Sequence, residues 1–114
     1  MLPNRVRIST TATDSLKVLK SRTAVTPNIL CRIALALSLR EGYEVKQSAK
    51  ALEGTEFNLS TLLGDQAVVY ECLLRQVHGE INEREASQYL SAHIDDGIEK
   101  LRRIRSVADL LSYV

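Results

Sequence analysis

The sequence predicts a mainly α fold in one domain: four to five helices behind a short N-terminal strand, assembled as a homo-oligomer. Three observations predict it. Apolar residues recur at spacings of three and four in several stretches between Ala12 and Ile104, one stretch near the N-terminus alternates instead, and helix start and stop signals lie between them. A chain of 114 residues buries about two-thirds of its unfolded surface and needs no second domain. Within the single domain 1–114, residues 1–42 read as a strand-helix-helix part and 43–114 as a helical part.

In Arg5-Val6-Arg7-Ile8-Ser9, Val6 and Ile8 point to one face while Arg5, Arg7 and Ser9 point to the other, the period of a half-buried strand. This strand requires a partner, either residues 55–60 or the same strand of another copy. The first helix opens on a capping-box pattern, Thr11 with Asp14, and buries Ala12, Leu16 and Leu19. Thr26 as cap, Pro27 at the first helical position and Gly42 past the end bracket the second helix. That helix is apolar nearly all round: Leu30, Ile33, Ala34 and Leu37 on one face, Ile29, Cys31, Leu35, Ala36 and Leu39 over most of the rest. A helix of this kind is buried from more than one side. In so small a domain the second wall is expected to be another subunit, with Ile29, Leu30, Ile33 and Leu37 at the interface.

Residues 42–54 read as a polar loop with one weak helical turn. Glu56 to Gly64 is short and partly alternating, with Phe57 as core anchor. A third helix is expected from Asp65 to about His78. Asn82 to Glu85 supplies the next cap, and Ala86, Leu90, Ile94, Ile98, Leu101 and Ile104 mark the buried stripe of a long fourth helix. Gly97 inside it costs about 1 kcal/mol relative to alanine and permits a close helix contact. Ser106 to Asp109 can cap a last short helix ending near Ser112.

Charge is unevenly spread. Residues 1–40 hold seven Lys and Arg against Asp14 alone, so they carry +6, and the remaining 74 residues carry −5 behind a total of +1. Such a split favours an extended polyanion or an acidic partner. Arg5, Arg7, Lys17, Lys20 and Arg22 are the expected contacts to such a polyanion, multiplied by symmetry in the oligomer. Low aromatic content, Phe57 and four Tyr, argues against a platform that stacks single-stranded bases.

Catalytic chemistry finds no motif: Gly64-Asp65 lacks the phosphate-loop pattern, and no nucleophile, base or metal-ligand spacing is spelled out, so no catalytic residue, metal or cofactor is expected. His78 and His93 lie on different helices and read as structural. Asp95, Asp96 and Glu99 read as a solvated face, with Glu99 paired to Arg103 at i, i+4. Cys31 and Cys72 read as buried small hydrophobes. Arg102, Arg103 and Arg105 read as the dipole partner of the preceding helix, with a second phosphate-contacting patch as the other reading. No signal peptide or membrane span is present, which points to the cytoplasm.

Strand, helix, turn and apolar helix in this order resemble a ribbon-helix-helix DNA-binding unit, in which two copies pair their strands in the major groove. A sequence-specific repressor of that kind is the alternative reading. A longer likeness covers almost the whole chain. Leu2-Pro3-Asn4-Arg5, Lys20-Ser21-Arg22-Thr23 with Thr26-Pro27-Asn28-Ile29-Leu30-Cys31-Arg32, Glu56-Phe57-Asn58 with Thr61-Leu62-Leu63-Gly64, and Gly97-Ile98-Glu99 with Leu101 resemble the bacterial DndE family of DNA sulfur modification proteins. The resemblance implies a small helical subunit, homo-oligomeric and expected as a tetramer, of the phosphorothioation machinery. It also implies binding to double-stranded DNA, nicked duplex preferred, beside partner proteins that supply the sulfurtransferase and ATPase functions.

Overall fold

Alternation at the N-terminus and helical periodicity beyond it produce, in a computed structural model describing residues 2–41, 52–106 and 108–109, the order β1 (Arg5–Arg7), α1 (Thr10–Thr23), α2 (Pro27–Glu41), β2 (Glu56–Asn58), α3 (Leu59–Leu63), a 3-10 turn (Gly64–Gln66), α4 (Ala67–His78) and α5 (Glu83–Leu101). The expected Gly42 stop and the loop up to residue 51 lie outside the described residues.

Of the two partners open to β1, the chain uses its own. β2 runs antiparallel to it, with Arg5 opposite Asn58, Val6 opposite Phe57 and Arg7 opposite Glu56. The ladder continues as Ile8 N–H donates to the Thr55 carbonyl at 3.1 Å and Gly54 N–H to the Ile8 carbonyl at 2.9 Å. Across the strand, Ser91 Oγ on α5 donates to the Arg7 carbonyl at 2.7 Å. The ribbon expected from the ribbon-helix-helix likeness would pair β1 between copies. Here its hydrogen bonds go to β2 and α5 of the same chain.

Ser9, expected on the outer face with the arginines, is buried and caps α1 instead: its Oγ accepts from Ala12 N–H at 3.0 Å. This moves the cap two residues ahead of the predicted Thr11, because a serine in extended backbone at N-cap satisfies a free helical N–H. α1 buries Ala12, Leu16 and Leu19 as predicted, with Thr23 added, and ends on Ala24 in the left-handed region at φ 59°. Asn82 and Glu85 form a complete capping box for α5, and Ala86, Leu90, Ile94, Ile98, Leu101 and Ile104 are all buried. α5 stops at Leu101, so Ile104 reaches the core from the turn that follows. Ser106 Oγ accepts from Asp109 N–H at 3.3 Å, the start of the expected last cap; its continuation lies outside the described residues.

α2 is buried from several sides, yet its walls belong to this chain. It packs chiefly on α5, with further contacts to α1, α3 and α4. Leu30, Cys31, Ala34, Leu35, Leu37, Ser38 and Leu39 are all buried. Leu30 and Leu37, expected at a subunit interface, are 0% and 6% exposed inside the protomer; Ile33 is half-buried, and Ile29 keeps 45% exposure. Apolar residues round a helix count its walls without saying whose they are. Arg32, a polar break in α2, fixes one of these walls: its Nε donates to the Leu62 carbonyl at 2.8 Å, at the open C-terminal end of α3. Phe57 is buried as expected. The segment from Leu59, read as an extension of the alternating stretch, is helical because Asn58 Oδ1 accepts from the Ser60 and Thr61 N–H groups and caps it. Among the described residues no helix is long and apolar enough to cross a membrane.

Candidate nucleic-acid interface

The five cations expected to hold DNA fall in three places. Arg5 and Arg7 stand on the outer face of β1, where Arg5 Nη1 and Arg7 Nη2 each lie 3.5 Å from Glu56 Oε2. Arg7 Nη1 also donates to the Gly54 carbonyl at 3.0 Å. Ion pairs this exposed are worth less than about 1 kcal/mol, so a phosphate can compete for the guanidinium groups. Lys17 and Lys20 are exposed, one turn apart on one flank of α1, and neither is ion-paired among the described residues. Arg22 sits roughly 140–160° away from them round the helix.

On that opposite flank Arg22 Nη1 donates to the Arg102 carbonyl at 3.3 Å, at the C-terminal end of α5. Arg22, Arg102, Arg103 and Arg105 line a groove of about 650 Å³ with Asp14 and Val18. The arginines read from sequence as a dipole partner therefore share a hollow with one of the expected DNA contacts. Glu99 pairs with Arg102 at 3.3 Å rather than with the expected Arg103, leaving Arg103 on the groove side. The convergence had no local signal, since α1 and the end of α5 meet only in the folded chain. Within one chain the five cations therefore do not share one face.

A family model described as DNA sulphur modification protein DndE matches residues 5–109. The chain belongs to the DndE family. It is similar to the crystal structure of DndE from Escherichia coli B7A, described as involved in DNA phosphorothioation modification, at 33% identity over 89% of this chain and 98% of that one, with a TM-score of 0.78. It is likewise similar to the crystal structure of a DndE G21/24K mutant involved in DNA phosphorothioation, at 32% identity, 89% and 99% coverage and a TM-score of 0.76. No curated protein matched.

For a DndE family member the two thiols are the first groups to weigh against sulfur chemistry. Cys31 is fully buried on α2, and burial, assisted by the Asp95 carboxylate, pushes its thiol up to about 12. It stays a protonated core side chain. Cys72 is exposed, against expectation. α4 buries Tyr70 and Leu74 and turns Cys72, Val68 and Val69 outward, the two valines 69% and 56% exposed. A thiol reagent applied to the native protein will modify one cysteine per chain, and Cys72→Ser will abolish that labelling until denaturant is added. Rapid native labelling at Cys31 would contradict its placement.

The histidines, assigned to different helices, meet. His78 Nε2 and His93 Nε2 are 2.7 Å apart, and His78 stacks on Tyr89 with ring centroids 3.7 Å apart. His93 Nδ1 lies 2.7 Å from Ser38 Oγ, which donates to Asp96 Oδ2 at 2.6 Å. Asp96 pairs with Lys100 at 3.0 Å, and Lys100 with Glu41 at 3.7 Å. The order resembles a hydrolase triad in composition only. The hydroxyl stands between imidazole and carboxylate, and Ser38 is 1% exposed, so it is neither activated by His93 nor open to substrate. Asp96, read from sequence as part of a solvated face, is the inner anchor of this network. Among the described residues no group of three His, Cys, Asp or Glu side chains is placed to hold a metal ion.

Proposed function

We propose that this DndE family protein is a non-enzymatic accessory subunit of a DNA phosphorothioate modification complex, acting in the cytoplasm and holding duplex DNA, nicked duplex included, by its backbone. The observation that carries this reading is the pair Lys17 and Lys20, exposed and without ion pairs among the described residues, on a member of a DNA sulfur modification family. Arg5 and Arg7 on β1 extend the cationic surface. Arg22, on the far flank of α1, reaches the same duplex only from a neighbouring copy. A homo-oligomer, expected as a tetramer, would repeat the surface, and Ile29 on α2 with Val68 and Val69 on α4 are among the large apolar side chains that the described residues leave exposed. The sulfurtransferase and ATPase functions are expected in partner proteins.

Phosphate contacts without base readout make affinity depend on salt and not on sequence. With Arg5, Arg7, Lys17 and Lys20 engaged, log K against log[salt] will have a slope of about −3.6 per duplex contact. Lys17→Glu with Lys20→Glu will weaken duplex binding about 100-fold at fixed salt, leaving the sedimentation coefficient of the oligomer unchanged. Unchanged affinity in that double variant rejects the surface. Discrimination of about 10³-fold or more between one operator and random duplex would instead favour a sequence-specific repressor.

A further inference from the structure

We propose that the groove between α1 and the end of α5 docks an acidic, partly apolar segment of a partner protein. Arg22, Arg102, Arg103 and Arg105 converge there from segments 80 residues apart in the chain. Among the described residues Asp14 is the one acid in the lining, and Arg22, Arg103 and Arg105 form no ion pair. Set against Asp14 and the Glu99 carboxylate that pairs with Arg102, the four guanidinium groups still leave an excess of positive charge, and the concave shape focuses it. Arg22 is held in place by the Arg102 carbonyl, so part of the ordering entropy is already spent before a ligand arrives.

Val18 decides between the polyanions. It is 46% exposed and lines the groove beside the arginines. A sugar-phosphate backbone offers a valine only the C–H edge of a sugar between charged phosphates, whereas a peptide can set a whole aliphatic side chain beside a carboxylate. Arginine is also the cation enriched in protein interfaces, where its fork takes carboxylates bidentately. A second hollow of about 360 Å³ shares Arg102 and Arg103 and adds Leu37, Arg40 and Lys100 beside the acids Glu41 and Glu99, with Lys100 paired to Glu41 and Asp96. This continuation is mixed in charge, so an acidic segment is held by the groove itself. Lys17 and Lys20 face the opposite flank of α1, so a duplex held there leaves this groove open. The inference goes beyond the DNA reading and does not depend on it.

The test uses the full chain and three fluorescent probes: a short peptide alternating Glu and Leu, its Lys and Leu counterpart, and a nicked duplex oligonucleotide. The Glu/Leu peptide is expected to bind with an affinity that falls as salt rises, and the Lys/Leu peptide not to bind. Arg103→Glu with Arg105→Glu, and separately Val18→Glu, will each weaken the Glu/Leu peptide about ten-fold or more without shifting the melting temperature or weakening the duplex. Lys17→Glu with Lys20→Glu will show the reverse pattern. Peptide binding that survives both groove variants overturns the proposal. So does a duplex affinity that falls as far with the groove arginines reversed as with the lysines, which would assign the groove to DNA phosphates.

Discussion

Gly97→Ala will lower the free energy of unfolding by about 2 kcal/mol or more, even though alanine is the better helix former by about 1 kcal/mol. A Cβ built on Gly97 overlaps the carbonyl group of Ala34 on α2 and stands 2.6 Å from its Cα. Main-chain atoms inside a helix cannot swing aside, so α2 and α5 must separate. This is the most extensive helix contact of the fold, and the opening would pull Leu35, Ile94 and Ile98 out of close packing. In a domain of this size the loss will lower the melting temperature by about 10 °C or more. Urea titration followed by circular dichroism measures the effect. Because the obstacle is backbone, adding Ala34→Gly will not restore stability. Recovery in that double variant, or a Gly97→Ala midpoint at or above the parent's, would show that the two helices do not meet main chain to main chain at this point.

Acid will destabilise the protein in the window between the ordinary histidine pKa and the value His93 has in the fold. Burial, joined by the neighbouring His78 and by Lys100 and opposed by Asp96, lowers His93 from 6.5 to about 4. The folded state therefore holds His93 neutral over a range in which the unfolded chain protonates it. The unfolded state binds more protons there, so stability is fully present above pH 6.5 and is lost as pH falls towards 4, below which both states are protonated and the loss is complete. The depressed value corresponds to about 3 kcal/mol. The hydrogen bonds act in the same direction as burial. Ser38 Oγ–H is committed to Asp96, so His93 Nδ1–H donates to Ser38 and Nε2 is left to accept from His78. A proton added at Nε2 faces a donor in place of an acceptor. The curve of unfolding free energy against pH will drop across this window for the parent and flatten for His93→Gln, with the difference between the two isolating this group from the carboxylates. Parallel curves would remove His93 from the acid response.

Much of the secondary structure could be read locally. The α5 stripe, its Asn82–Glu85 box, the Pro27 start of α2 and the close contact at Gly97 are stated by residue types at fixed spacings, and short-range geometry enforces them whatever surrounds the helix. The misreadings share one cause. Ser9 looks outward by alternation but caps α1, since a strand's period stops applying where the next helix needs an acceptor. Cys72 belongs to an apolar stripe of α4, yet only the side bearing Tyr70 and Leu74 faces the core. His78 and His93 read as separate structural residues because nothing in a linear pattern places the end of α4 against the middle of α5.

By itself the sequence determined the helical class, the order of the long helices, most of the buried stripe and the likeness to one DNA-modification family, all carried by short-range periodicity, caps and residue strings. Tertiary structure alone decided where the charges went. The sequence splits into +6 and −5, but the fold places Glu56 of the acidic half on Arg5 and Arg7 and brings Arg102, Arg103 and Arg105 of that half to Arg22. It also decided that the walls of α2 are intramolecular. Electrostatic and packing partners are chosen by proximity in space, which the order of residues along a chain does not specify.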